Sequence, residues 1–398
     1  MKAVVFGSGR IGCGFAGQLL HASGYQVVFV GRNPAVVDHL NRVRRYRVWL
    51  VGGPEMEEIV VDGVRAVSTA EPDLVAAEMS EAELIVTAVG VGNLPDIAPL
   101  IAAGLRRRRE PTNVLAFENL VNAGLYLRGL VAGHLPAGGS PAAHGVSGSL
   151  ISRAVTHQLG DPAGDEPLIF VGDRLAHFVV DGASLCQPLP AVEGMIVAED
   201  YSAWVQRKLY IFSAGHAAVA YLGYLKGYHY IHTAIRDPEI RVAALAAMAE
   251  GQRGLAARYG PEVAGDESDL MQIVARFENA ALNDPITRVG RDPKRKLGAD
   301  DRLLGAARLA EEAGIRPEKL VLVAAAALCF CNPADPSATD LQREIETAGP
   351  GPALRQVSGL DPGQGLGRLV TDGWRRLADG WRHGNLLLSL DQLLWTWR

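Results

Sequence analysis

Residues 2–30, KAVVFGSGRIGCGFAGQLLHASGYQVVFV, decide the fold. Lys2 to Phe6 form a short apolar run, the pattern of a strand buried on both faces. Gly7, Gly9 and Gly12 follow in GxGxxG register, and a helical period through Phe15, Leu19 and Leu20 ends near Gly24. A second apolar run, QVVFV, occupies 26–30. The order strand, glycine turn, helix, strand gives the motif its meaning. The first glycine permits the tight turn, the second lets backbone approach a pyrophosphate, and the third lets helix and strand pack closely. Gly7, Ser8, Gly9, Arg10, Ile11 and Gly12 therefore form the expected cofactor loop, with the pyrophosphate on the helix amino terminus.

The second strand ends in VGRNP. A dinucleotide whose adenosine ribose keeps a free 2′-hydroxyl usually meets a carboxylate at this point. Here Gly31 is followed by Arg32, so nothing repels a 2′-phosphate and a guanidinium is placed to grip one. NAD(P) is the expected cofactor, with NADP(H) favoured over NAD(H). Asn33 and Pro34 read as the start of the next helix, which leaves open that Arg32 simply points to solvent. Two further strand-like runs end in small or polar residues: ELIVTAVGVGN (83–93), with Ala88 and Val89, and NVLAFENLVNAG (113–124), with Glu118 and Asn119. Loops at the carboxyl ends of parallel strands line a nucleotide crevice, so these residues join the expected cofactor set. The run Arg106 to Arg109 reads as a solvated helix end.

With 398 residues, 48% of them hydrophobic and 21% charged, the chain has material for two or three packed domains. A net charge of −5 gives no general pull toward nucleic acid or anionic lipid. Cys13, Cys186, Cys329 and Cys331 lack metal-finger spacing and read as buried thiols of a reducing compartment. The chain opens directly into a strand, and the longest apolar run, LVLVAAAALCF (320–330), is far shorter than the roughly 20 residues that span a bilayer. A cytoplasmic enzyme with a small-molecule substrate is expected, and nothing points beyond a monomer or weak dimer.

From about residue 200 helical periods replace strand-like runs, and Pro188 and Pro190 mark the change. The fold class is therefore α/β. A Rossmann-type parallel sheet domain (1–190) is followed by a mainly α-helical C-terminal domain (191–398), and a substrate is expected in a cleft between them. RKLYIFSAGH (207–216) belongs there. On a straight helix Lys208 and His216 lie roughly 12 Å apart along the axis and about 80° apart in azimuth. A desolvated lysine has a depressed pKa and suits acid–base work on an alcohol–carbonyl pair. Spacing alone leaves the alternative of a snorkelling lysine and a hydrogen-bonded core histidine.

Several motifs carry a family resemblance: FGSGRIGCGFAG (6–17), TAVG (87–90), FENLVNAG (117–124), RKLYIFSAGHAAVAYLG (207–223), ARFENAALNDPITRVGRDPKRKLGADDRL (275–303) and QVSGLD (356–361). Together they resemble the polyol-specific long-chain dehydrogenase/reductase family, and within it a sugar-phosphate branch, from residue 1 to about 365. The resemblance implies that Lys208 is the catalytic acid/base, that Asn119 and His216 help hold the reacting oxygen, and that no metal takes part. His229 and His232 have a spacing that could chelate, but no third ligand suggests itself. Two positions depart from the family pattern. Ser213 stands where the motif has an asparagine, and Ser152 stands before Arg153 where an aspartate is usual. Losing one donor to a developing alkoxide can cost on the order of 100-fold in rate.

Arg288, Arg291, Lys294, Arg295, Lys296 and Arg302 crowd into a short span. Arg288, Arg291, Arg295 and Lys296 are expected substrate-binding residues for a sugar phosphate. The alternative is a salt-bridged turn with Asp292, Asp300 and Asp301. After about 365 the resemblance fades; Leu377, Trp381 and Leu388 are expected in the core, while Trp395 and Trp397 could serve a partner. The leading expectation is an NAD(P)-dependent oxidoreductase interconverting a ketose phosphate and a hexitol phosphate. A cofactor-retaining epimerase and a non-catalytic nucleotide-binding protein are the alternatives.

Overall fold

A computed structural model describes residues 1–52, 55–135 and 144–382. The chain divides into two compact units, Met1–Trp204 and Val205–Arg398.

The first unit is built on an eight-stranded sheet. Its strands are β1 (Lys2–Phe6), β2 (Gln26–Gly31), β5 (Arg65–Ser68), β6 (Leu84–Thr87), β7 (Asn113–Ala116), β8 (Gly145–Ile151), β11 (Phe178–Asp181) and β12 (Met195–Ala198), in the order β12-β11-β8-β7-β6-β1-β2-β5. β5-β2-β1-β6-β7-β8 run parallel, and β11 joins β8 antiparallel. The six parallel strands reproduce the doubly wound nucleotide-binding order, whose direction reverses between β1 and β6. Apolar residues occupy both strand faces because both are covered. Ala3 and Val5, with Val27 and Phe29, enter one core that also holds Phe15, Leu19 and Leu40. Val4 and Phe6, with Val28 and Val30, enter another with Met79, Ile97, Ile101 and Leu127. β12 lies beyond the Pro188–Pro190 segment, so the sheet unit runs past residue 190.

A second, four-stranded sheet, absent from the sequence reading, belongs to the same unit. Its order is β4-β3-β10-β9, with β3 (Arg45–Val51), β4 (Glu57–Asp62), β9 (Val155–Leu159) and β10 (Ile169–Asp173). It packs on the helix after the glycine loop. That helix is widened into a π-helical turn over Gly12–Gly17 before continuing as Gln18–Ala22. Widening leaves carbonyls to be satisfied from outside. Tyr46 of β3 donates its hydroxyl to the Cys13 carbonyl at 2.9 Å, and Arg153 donates to the Gly14 carbonyl at 3.1 Å and to Gln18 Oε1 at 2.7 Å. The approach demands glycine: a Cβ on Gly17 would lie 2.5 Å from the Tyr46 hydroxyl, and one on Gly14 would lie 2.7 Å from Val155. Burial lowers the Arg153 pKa to about 10, yet it still carries its charge at neutral pH.

The second unit is helical. Ala214–Leu225 is buried almost all round, with Ala217, Ala218, Val219, Ala220, Tyr221 and Leu222 inside, so it forms the central helix. Pro238–Tyr259 and Glu318–Leu328 pack against it, the latter being the apolar run noted in the sequence, and Leu304–Glu312 packs in turn on Pro238–Tyr259. Close packing relies on small residues: Met248 sits where a Cβ on Gly215 would be, and the Tyr210 carbonyl where one on Gly251 would be. The buried Glu250 carboxylate accepts the backbone N–H groups of Lys319 and Leu320, both at 2.9 Å, and so caps Glu318–Leu328 from a neighbouring helix. Burial pushes its pKa up to about 7. Leu377 is buried as expected. Leu388, Trp395, Trp397 and the Trp381 side chain lie outside the described residues. No helix among the described residues is long and apolar enough to cross a membrane.

A Cβ on Gly12 would overlap the Gly7 carbonyl oxygen. Overpacking of this kind costs about 1–3 kcal/mol. Gly12→Ala should therefore lower the thermal midpoint by several degrees, roughly 2–4 °C per kcal/mol for a unit of this size. An unchanged midpoint in a thermal-shift measurement would disprove the close approach.

Candidate active site

In the first unit the candidate site lies at the carboxyl ends of β1, β2, β6 and β7. Gly7 leaves β1 at φ 104°, a conformation that favours glycine, and donates its N–H to Val30 at 2.8 Å. A Cβ there would run into the Ala88 carbonyl, just as one on Gly12 would run into Gly7. Gly9 differs: a Cβ added to it meets nothing within 4 Å. Two jammed glycines thus flank one that faces open space at the start of the helix. This is the arrangement a pyrophosphate needs, and the residues present fit a dinucleotide.

The neighbouring loops are tied to each other. The Glu118 carboxylate accepts the backbone N–H groups of Val89 and Gly90, each at 2.9 Å, so it holds the loop after β6 to the end of β7. Burial raises its pKa, and those N–H groups offset part of the rise. Asn93 donates from Nδ2 to the Val89 carbonyl at 2.7 Å and accepts from Arg32 Nη1 at 3.4 Å. Arg32 is exposed, while Asn33 accepts from the Ala35 N–H and caps Pro34–Val43. Arg10 donates to the Thr156 carbonyl at 2.9 Å. A Cβ on Gly31 would lie 2.9 Å from Ser8 Oγ, so the absence of a side chain at 31 makes room for the loop. Ile11 packs against the core, and Asn119 is exposed beyond β7. Ser152 donates its hydroxyl to the His177 carbonyl.

In the second unit the helix carrying Lys208 is not straight. Lys208–Ser213 form a π-helical turn, which then continues as Ala214–Leu225. Such a turn inserts one residue into the helical register. Lys208 and His216 therefore fall about 20° apart in azimuth rather than about 80°, nearly one above the other. Phe212 stands between them, 5.6 Å from the His216 ring, with the Arg276 guanidinium stacked 4.7 Å over its face. His216 stacks on Phe277 at 4.9 Å and 15°, and its Nε2 is 3.2 Å from Asp284 Oδ2.

The electrostatics of this wall suit proton transfer. Burial lowers the Lys208 pKa, and the Arg276 and Arg302 charges lower it further, to about 8. Burial also lowers His216, with Asp284 working the other way. Burial works to raise Asp284, yet His216 and Arg288 hold it below the usual carboxylate range. An ionised Asp284 only accepts, so Nε2 of a neutral His216 carries the hydrogen and Nδ1 is the acceptor. Ser213, half-buried, closes the π-helical turn one turn before His216. The sequence does not single out Arg276, Phe277 and Asp284, and it shows Arg302 only as one of a basic cluster, because nothing local links residues about 70 to 95 positions downstream to Lys208.

The basic segment is largely engaged with other groups. Arg288 donates from Nε to Asp284 at 2.7 Å, and Arg295 bonds Asp292 at 2.8 Å and Asp301 at 3.3 Å. Lys294 pairs with Asp340 and Glu344. Lys296 is buried, its amine donating to the Arg291 carbonyl; burial, then Arg302 and Arg295, lower its pKa to about 7. The Arg291 side chain is exposed. Among the described residues no three His, Cys, Asp or Glu side chains converge on a metal position.

A glycine-loop sheet followed by a helical unit that shelters an amine is the build of a two-domain nicotinamide-dependent dehydrogenase. The comparisons specify which. Residues 1–194 match the family model of the mannitol dehydrogenase Rossmann domain, and residues 200–352 match that of the mannitol dehydrogenase C-terminal domain. The chain belongs to the mannitol dehydrogenase family. It is 38% identical over 390 residues to mannitol-1-phosphate 5-dehydrogenase of Brevibacillus brevis, covering 95% of this chain and 99% of that one. Two solved structures share the fold at 16% identity. Pseudomonas fluorescens mannitol 2-dehydrogenase, in a ternary complex with NAD and D-mannitol, has a TM-score of 0.71 and covers 99% of this chain and 94% of its own. A substrate-free D-sorbitol dehydrogenase has a TM-score of 0.78 over 98% of this chain and 94% of its own.

Gly9→Ala tests the loop. With open space above Gly9, the thermal midpoint should stay nearly constant, as for surface changes within about 0.5 kcal/mol. Dinucleotide affinity should fall at least about tenfold, a loss of about 1.4 kcal/mol. Titration calorimetry showing unchanged affinity would remove Gly9 from the binding surface.

Proposed function

We propose that this chain is an NAD(P)-dependent oxidoreductase interconverting a ketose phosphate of the fructose 6-phosphate kind and a hexitol phosphate of the mannitol 1-phosphate kind. One observation carries the reading: a half-buried lysine whose pKa is brought to about 8 stands in line with a histidine fixed by an aspartate. The 38% identity to a mannitol-1-phosphate 5-dehydrogenase across nearly the whole chain supports the substrate class.

A dinucleotide held by the glycine loop (residues 7–12) would, in its reduced form, supply the hydride for the carbonyl carbon. Lys208, as the ammonium ion, donates a proton to the carbonyl oxygen as it becomes a hydroxyl; in the oxidative direction the neutral amine takes that proton back. His216 Nδ1 accepts from the substrate hydroxyl while Asp284 holds the ring. Ser213 offers a shorter hydroxyl at the position where the family motif carries an amide, and Asn119 is assigned a hydrogen-bonding role toward the substrate on the same resemblance. Gly7, Ser8, Gly9, Arg10, Ile11 and Gly12, with Gly31, Arg32, Asn33, Ala88 and Val89, form the proposed dinucleotide surface. Glu118 is assigned the upkeep of its loop rather than a ligand contact. Arg32, exposed and beside no carboxylate of its own strand, favours a 2′-phosphate and hence NADP(H).

The sign of the pH dependence follows from the role. The acid form of Lys208 is lost as pH rises through about 8. Reductive turnover should therefore fall about tenfold per pH unit above that point, while oxidative turnover rises through it. Lys208→Ala should lower kcat by at least about 100-fold and leave dinucleotide affinity intact. Near-normal kcat in that variant would refute the acid–base role.

Nicotinamide absorbance, followed with NADPH and NADH against fructose 6-phosphate and fructose, tests the reading itself. Product formed without a net absorbance change would instead indicate a cofactor-retaining epimerase. Arg32→Ala should weaken NADPH at least about tenfold more than NADH, the loss of a charge-assisted pair; equal effects would refute the 2′-phosphate contact.

A further inference from the structure

The π-helical turn that begins at Lys208 is seated in a slot between two other helices. Where the helix takes its extra residue, Tyr210 comes up against Pro238–Tyr259 at Gly251. A Cβ added to Gly251 would lie 2.2 Å from the Tyr210 carbonyl oxygen, 3.1 Å from its carbonyl carbon and 3.6 Å from its Cβ. Tyr210 supplies each of these nearest atoms. Gly305 admits the far end of the same buried side chain: a Cβ there would lie 2.7 Å from the Tyr210 hydroxyl. That hydroxyl donates to the Asp300 carbonyl at 3.2 Å. Glycine inside a long helix is unfavourable relative to alanine, so a buried one needs a reason. At Gly251 the reason is one residue of the turn.

The helix that carries Gly251 has no room to withdraw. Met248 lies against the central helix, its sulfur 2.4 Å from where a Cβ on Gly215 would be. The Glu250 carboxylate holds the N–H groups of Lys319 and Leu320. A Cβ on Gly254 would lie 2.9 Å from the backbone nitrogen of Ala310 in Leu304–Glu312. Backing the helix away would break all three contacts at once, and a close-packed interior yields little. The turn is the softer partner, because the ordinary α-helical register is open to it. A side chain at 251 is therefore relieved by expelling the extra residue. That change would swing Lys208 by about 100° around the axis relative to His216.

We propose that Gly251 is a positioning residue for the reaction: by admitting the Tyr210 backbone it keeps the extra residue in the helix, and so keeps Lys208 in line with Phe212 and His216. The assignment rests on the acid–base role given to Lys208 above and goes beyond it by naming what fixes that amine in place. Its consequence is one of burial. Burial is the largest cause of the lowered Lys208 pKa, so a lysine swung out of its place titrates higher.

The test uses the full chain with Gly251→Ala, and with Gly254→Ala as comparison, because the latter jams the same helix against Leu304–Glu312 and not against the turn. Both changes should lower the thermal midpoint. Only Gly251→Ala should lower kcat for mannitol 1-phosphate oxidation, by at least about tenfold, since small misplacements of a reacting group are costly. Dinucleotide affinity should stay at its wild-type value in both. The pH at which the reductive reaction fades should move up from about 8 in Gly251→Ala alone. Acetylation of Lys208 by acetic anhydride, read by peptide mass across pH, follows the amine without turnover, and its inflection should rise in the same variant alone. Wild-type kcat and inflection in Gly251→Ala, or equal effects in Gly254→Ala, would overturn the proposal. Tyr210→Phe, which loses only the bond to the Asp300 carbonyl, should raise the inflection by less. It decides the matter if Gly251→Ala does not fold, an unmoved inflection then counting against the slot. If wild type does not oxidise mannitol 1-phosphate, the ketose–hexitol reading falls, and the acetylation profiles still decide whether Gly251 positions Lys208.

Discussion

No side chain fits between Gly7 and Gly12, and the rest of the first unit is arranged around that contact. The Gly7 carbonyl lies against the helix, so β1, the loop and the helix form a single rigid turn whose one open glycine is Gly9. The same closeness extends along the helix. Gly14 and Gly17 let a second sheet approach, and Tyr46 and Arg153 take up the carbonyls that the widened turn releases. A helix tied by a tyrosine and an arginine to a sheet outside the nucleotide fold has little freedom to reorient. That stiffness suits a surface that must meet a pyrophosphate through backbone groups.

The second unit applies the same device to a different end. A π-helical turn again departs from regular hydrogen bonding, and here it re-aims side chains. By adding one residue to the register it stacks Lys208, Phe212 and His216 along one face, where Arg276, Phe277 and Asp284 meet them. The cost of holding a cation there is met by the dense packing behind it. The central helix is buried on nearly all sides, and its neighbours approach through Gly215 and Gly251. A close-packed support keeps the amine at one depth of burial, and that depth is the largest contribution to its lowered pKa.

The chemistry of the wall is a matter of shared charges. Asp284 orients His216 while also holding Arg288, and Asp301 divides itself between Arg295 and Arg302. Most of the basic segment is consumed in this way, which is why a count of lysines and arginines along the sequence overstates the number available to a ligand. Glu118 gives the parallel lesson in the first unit: a carboxylate at a strand end is spent on two backbone N–H groups of the next loop.

The nucleotide fold was legible in residues 2–30 because its determinants are local: short continuous apolar runs, three glycines at fixed spacing, and a second strand within reach. The helical character of the second half was legible for the same reason, and the family could be read from motifs that are contiguous in the chain. Lys208 and His216 stood out by their place in an apolar segment. Other features depend on contacts between distant residues, and no local pattern encodes them. The four-stranded sheet pairs β3 with β10 across more than 100 residues. The π-helical turn over Lys208–Ser213 contains no glycine or proline that would mark it in the sequence. Arg276, Asp284 and Arg302 acquire meaning only when the fold sets them against a lysine far earlier in the chain. Sequence alone determined which chemical groups are present and which elements carry them; tertiary structure decided which of those groups are already paired and which face one another, because burial and Coulomb interaction act through space and not along the chain.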